Sequence, residues 1–239
     1  MRLKLISCEV LFRELCALVA RSPHQVDVEF LPKGLHDLGG KKMAGRLQAV
    51  IDEVDAASYD AILLGYALCG NGIVGLQAQK VPLVVPRGHD CITLFLGSRK
   101  RYLEYFDANP GTYFKTSGWI ERGKSNSPQL GAGVSLDELV AKYGEDDGRY
   151  IFEQLTQQYR QIAFIEMGVE PDARFEEAAR AQAEALQWSF DKLQGELALL
   201  RRFINGDWES DDFLVVPPGS RIEPTYDDRI VKVEEVTGP

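Results

Sequence analysis

Several familiar signals are missing from this chain of 239 residues. No GxGxxG follows the first expected strand, and GxSxG does not occur, so the common dinucleotide and nucleophile-elbow readings lose their support. GxxxxGK[ST] occurs at Gly118 to Ser125 (GWIERGKS), but inside an irregular stretch with no expected strand before it, so the P-loop reading lacks its context. Four cysteines are too few to staple a chain this long, and none form a CxxC pair. Histidine is scarce, at three. No stretch reaches the roughly 18 apolar residues that a membrane span needs. The first residues have Arg2 and Lys4, but Glu9, Arg13 and Glu14 break the apolar run expected of a signal peptide. Positive charge is also in deficit: 27 Lys and Arg stand against 36 Asp and Glu, a net −9. That balance gives no long-range attraction to phosphate backbones or anionic lipid, so neither nucleic acid nor membrane is an expected partner. A cytoplasmic protein with reduced thiols is the expectation.

What is present is apolar content of 45 %, enough for a sizeable core. Short apolar runs at 3–8, 26–31, 59–68, 81–85, 161–167 and 213–216 read as strands. Amphipathic spacing predicts helices over 9–21, 43–54, 90–106, 135–143, 146–158, 171–193 and 197–204, with a short one over 73–79. Ser135 and Glu138 have capping-box spacing. The strands are apolar on both faces, the pattern of a parallel sheet covered by helices. The expected fold is a doubly wound, Rossmann-like α/β sheet, in one domain over 1–220 with a peripheral acidic tail over 221–239. A sheet covered on one face is the rival. The stretch 111–132 is rich in Gly, Ser and Asn and reads as a long functional loop or flap.

Chemistry collects at strand ends. Cys8 ends the first strand, Cys69 the third, and His89-Asp90-Cys91 follows the fourth. In a parallel sheet these ends share the carboxyl edge, where ligand crevices form. Three thiolates with His89 as a fourth donor can complete a zinc site; three thiolates can also hold an iron–sulfur cluster. Buried cysteine is equally often a small hydrophobe, the role assigned to Cys16 within its helix. His36 follows the second strand and is the next histidine candidate, whereas His24 reads as a surface turn. Gly70, Asn71 and Gly72 form either a ligand-cradling loop or a tight turn. Arg87 is placed to clamp an anion, and Asp90 either orients His89 or caps a helix, the cap being the stronger reading. Lys115 and Trp119 either close over a bound ligand or anchor their loop.

The runs LLGYALCGNG (63–72), VPRGHDCITLFLGS (85–98) and GTYFKTSGW (111–119) resemble the signature blocks of a family, domain of unknown function 1638. SCEVLFREL (7–15), GELALLRRFINGDW (195–208) and DFLVVPPG (212–219) fit the same family. The resemblance implies a setting in one-carbon metabolism beside corrinoid-dependent methyltransferases. It assigns no activity. The expected function is a metal-dependent enzyme of methyl transfer, zinc first, with His89, Arg87 and Asp90 catalytic. The alternatives are a corrinoid- or metal-handling module, an iron–sulfur protein, and a metal-free thiol enzyme using Cys91 or Cys69 with His89. The expected partners are a small-molecule or cofactor ligand and corrinoid methyltransferase components; a homo-oligomer is compatible with all of these.

Overall fold

The computed structural model describes residues 1–123 and 135–236. Its elements run β1 (Arg2–Cys8), α1 (Phe12–Val19), β2 (Gln25–Leu31), α2 (Gly40–Asp52), β3 (Ala61–Gly65), β4 (Leu83–Pro86), α3 (Cys91–Leu96), α4 (Arg99–Ala108), β5 (Thr112–Lys115), α5 (Ser117–Glu121), α6 (Leu136–Tyr143), α7 (Glu145–Thr156), β6 (Gln161–Glu166), α8 (Arg174–Ala185), β7 (Ser189–Gln194), α9 (Ala198–Ile204), β8 (Phe213–Val216), β9 (Ser220–Pro224) and β10 (Val231–Glu235). The chain is a mixed α/β protein with a mainly parallel central sheet. It forms two compact units, Met1–Tyr102 with the segment from Glu196 onward, and Leu103–Gly195.

The first unit holds a five-stranded sheet in the order β2-β1-β3-β4-β8. β1, β2, β3 and β4 run parallel, and β8 pairs antiparallel with β4. β3 and β4 are buried at every position, and so on both faces, which is why they read as continuous apolar runs. β1 and β3 meet closely. Ser7 Oγ donates to the Gly65 carbonyl at 3.1 Å, and a Cβ on Gly65 would lie 2.2 Å from that oxygen and 2.6 Å from Ser7 Cβ.

Several expected elements differ. The helix expected over 73–79 is absent because its backbone groups pair elsewhere. Gly75 N–H donates to Ile222, Ala78 N–H to Ser220, and Leu76 accepts from Ile222 N–H. The segment after Arg221, expected to be peripheral, supplies that partner: β9 and β10 form a hairpin that buries Ile222, Ile230 and Val231. The helix expected over 90–106 is two helices. Gly97, at φ +73°, closes α3 by donating to the Thr93 carbonyl.

The second unit contains a separate parallel sheet, β5-β6-β7. β6, expected as a fifth strand of the main sheet, is its central strand. β5 and α5 occupy part of the expected irregular loop; residues 124–132 of that loop lie outside the described residues. The helix expected over 171–193 ends at Ala185. Gln187 takes φ +55°, and Phe190 and Leu193 belong to β7, where 3–4 spacing coincides with strand pairing to β6. Ile162 and Phe164 pack with Phe175, Ala179 and Ala183 of α8 to make this unit's core. Ser135 caps α6 with the full capping box, as its spacing predicts.

Gly65→Ala is expected to destabilise the protein by about 1–3 kcal/mol, because the new methyl meets the β1 side chain and no loop can yield. Urea unfolding of the two proteins measures it; equal midpoints would show that the β1–β3 seam is slack.

Candidate site at the carboxyl edge of the main sheet

The order of the main sheet turns back at β1. The chain goes out from β1 to β2, then returns to place β3 on β1's other side. The carboxyl ends at such a reversal leave a crevice between loops that diverge in opposite directions. Cys8 ends β1, His36 lies in the 3-10 turn after β2, and Tyr66 and Cys69 follow β3. The loops after β3 and β4 remain paired beyond the strands: Leu68 N–H donates to Gly88 and Cys69 N–H to His89, each at 2.9 Å.

Cys8 Sγ stands 3.8 Å from His36 Nε2. Burial pushes the Cys8 thiol up from its ordinary 9.0 to about 12, and the nearby Glu9 charge adds to the rise. The Val10 N–H and Lys33 act the other way. Burial lowers His36 below its ordinary 6.5, against the opposing charges of Asp37 and Asp90. The pair is therefore a neutral thiol beside a neutral imidazole. Cys69 is also raised to about 12 by burial, with Asp90 and Cys8 contributing through their charge and the N–H groups of Ala67 and Cys91 opposing. Tyr66 is 1 % exposed, its ring centroid is 6.4 Å from that of His36, and its hydroxyl has no hydrogen-bond partner among the described residues. Burial raises its pKa first, then the charges of Cys8, Cys69 and Glu9.

Cys69, Gly70 and Asn71 all have positive φ, at 46°, 65° and 67°. They make one left-handed turn, closed by Gly72 N–H on the Leu68 carbonyl at 2.8 Å. For a cysteine this backbone is strained, a condition that persists where surrounding structure enforces it. The enforcement is visible: Gly72 has no room for a Cβ, which would lie 2.3 Å from Met43 Sδ in α2. Gly70, Gly72 and Gly75 in fact spell GxGxxG after β3. The expected helix is missing there, so the dinucleotide fingerprint lacks its strand–turn–helix context.

The other expected site residues divide. Asp90 is the N-cap of α3, accepting from Ile92 N–H at 2.9 Å and from the Tyr102 hydroxyl at 3.0 Å, as the helix-cap reading holds. Burial nevertheless raises its pKa. Cys91 is the first residue of α3 and is buried. His89 is exposed; its carbonyl receives the Cys69 N–H. Arg87 donates from Nε to the Phe213 carbonyl at 3.1 Å and from Nη1 to the carbonyls of Arg229 and Val231, tying β8 to the β9–β10 hairpin. Lys115 and Trp119 belong to the second unit, where Lys115 is buried with its ammonium over the Tyr113 ring and Trp119 lies in α5. Cys16 is half-buried on α1. His36 and Tyr66 are the residues that sequence reasoning underweighted. His36 had its position after a strand to mark it, whereas Tyr66 looked like part of an apolar run.

Among the described residues, no group of three or more His, Cys, Asp or Glu side chains stands ready to hold one metal ion. No helix among them is long and apolar enough to cross a membrane.

Fold and site together define a mixed α/β protein whose soft donors gather at the strand-order reversal. The family model described as a protein of unknown function, DUF1638, matches residues 30–204, well over half of the chain, and the chain belongs to that family. The match includes His36, Tyr66, Cys69 and Cys91, and begins after Cys8. Comparison with curated proteins and with solved structures gave no match.

In metal-free protein the two raised thiols set an alkaline limit. Their neutral forms are favoured by folding, so that stability is complete below about pH 9 and falls as pH rises toward 12. His36 works on the acid side: its lowered pKa gives stability that is present above pH 6.5 and lost as pH falls through the folded value. Urea midpoints across pH should therefore decline at both ends. Cys8→Ala should flatten the alkaline decline and His36→Gln the acid one; unchanged slopes in both variants would contradict these assignments.

Proposed function

We propose that the chain is a metal-binding protein, zinc first, whose centre lies at the carboxyl edge of the main sheet, and that it is a metal-dependent enzyme of methyl transfer. The observation that carries this reading is the 3.8 Å contact between Cys8 Sγ and His36 Nε2. With zinc bonds of about 2.3 Å to sulfur and 2.0–2.1 Å to nitrogen, two ligands of a tetrahedral ion stand about 3.6 Å apart. Cys8 and His36 thus have the spacing of one edge of such a site. We assign Cys69, on the left-handed loop after β3, as the third donor that closes on the ion when it binds, since the described side chains form no ready three-donor group. His36 replaces His89 in the ligand set, because His36 is half-buried beside Cys8 and His89 is exposed.

The protonation states support the assignment. Neutral imidazole offers a lone pair, and a buried thiol near 12 ionises when a cation replaces its proton. Zinc would supply Lewis acidity and keep the sulfurs as thiolates at neutral pH. The chain's own residues do the rest. Cys8 and His36 hold the ion, burial around Cys8 and Tyr66 keeps water out, and Asp90 sets the negative potential that both His36 and Cys69 feel. A doubly wound sheet is part of this reading, supported by the burial of β3 and β4 at every position. Reducing cytoplasm suits thiols in this state. Corrinoid methyltransferase components are the partners this chemistry would serve.

The Cys8–His36 contact also suits a nucleophile and its base, which makes a metal-free thiol enzyme the second reading. Anaerobic purification followed by metal analysis separates the two. Stoichiometric zinc is expected in the native protein and in Cys16→Ser, with loss of at least tenfold in affinity for Cys8→Ser and His36→Gln. A metal-free protein with one rapidly alkylated cysteine would transfer the assignment to thiol chemistry. Brown protein carrying iron and sulfide would transfer it to an iron–sulfur cluster.

A further inference from the structure

Tyr66 follows β3 at the strand-order reversal, is 1 % exposed, and its hydroxyl has no hydrogen-bond partner among the described residues. Such a group is rare, because a buried O–H that forfeits water without gaining a partner is costly. Its surroundings are not apolar filler: the ring lies beside that of His36, and Cys8 follows the β1 residue that pairs with Gly65, the residue before Tyr66. A tyrosine that only filled space here would be served equally by phenylalanine.

We propose that Tyr66 is the hydrogen-bond donor for a small ligand bearing a carbonyl or carboxylate oxygen, bound among Cys8, His36 and Cys69. This deepens the function proposed above and rests on its reading of the carboxyl edge as a ligand site. Ligand chemistry follows from the donor. A tyrosine hydroxyl keeps its proton at neutral pH, so Tyr66 presents O–H and not phenolate. That O–H is matched by an acceptor oxygen. Acetate and acetamide share the acceptor and differ in charge, so together they separate an anionic ligand from a neutral one.

The test is a titration of wild type and Tyr66→Phe with acetate and acetamide, followed by NMR, in metal-free and zinc-loaded protein. Wild type is expected to bind acetate or acetamide, and Tyr66→Phe to bind it roughly five- to tenfold more weakly. Thermal unfolding of ligand-free Tyr66→Phe is expected at or above the wild-type midpoint, since no bond is lost. Zinc uptake should be unchanged. Failure of zinc to bind, with oxygen ligands still bound through Tyr66, would sink the metal reading and leave this one standing. Failure of wild type to bind either oxygen ligand in both forms would overturn it. So would weakened zinc uptake in Tyr66→Phe with unchanged acetate and acetamide affinity, which would assign the hydroxyl to the cysteine sulfurs.

Discussion

The close seam between β1 and β3 is the constraint on which the site depends. Gly65 lies against Ser7 with no space for a Cβ, and the Ser7 hydroxyl bonds the Gly65 carbonyl. With those residues in register, the next residues of both strands, Cys8 and Tyr66, leave the sheet side by side. The reversal of strand order at β1 then sends their loops apart, one toward β2 and His36, the other toward the left-handed turn at Cys69. The carboxyl edge at that reversal is set by topology, and it carries soft and polar groups that a hydrophobic core would have excluded.

Electrostatics at this edge is governed by desolvation. Two thiols are held neutral by burial, an imidazole is held neutral by burial, and a tyrosine hydroxyl is left with no partner among the described residues. Each group is in the form that costs least in the absence of charge. Each would change its state or gain a partner if a cation or an oxygen-bearing ligand arrived. Acidic Asp90 is held in place as a helix cap by Ile92 and Tyr102, so its charge is a fixed part of the site.

β3 and β4 were legible because burial on both faces imposes apolar runs, and the capping box at Ser135 because its chemistry is local. Asp90 as a cap was legible for the same reason. The 73–79 and 171–193 segments misled because their apolar spacing fits a helix, while their backbone partners, β9 and β6, lie far away in sequence. Arg87 looked like an anion clamp because sequence shows a charge and hides the carbonyls of Phe213, Arg229 and Val231 that its donors meet.

The sequence by itself determined the secondary-structure alphabet of the main sheet, the acidic surface and the placement of cysteines at strand ends. These follow from residue-level periodicity, composition and local turn chemistry. Tertiary structure decided that β6 belongs to a second sheet and that the terminal hairpin replaces an expected helix's hydrogen bonds. It also decided that His36, and not exposed His89, meets Cys8. Those outcomes rest on strand order and on which distant backbone groups satisfy one another, which no local pattern encodes. The four cysteines illustrate the division: their positions at strand ends or on a helix are local facts, but the contact of Cys8 with His36 exists only because β2 returns parallel beside β1.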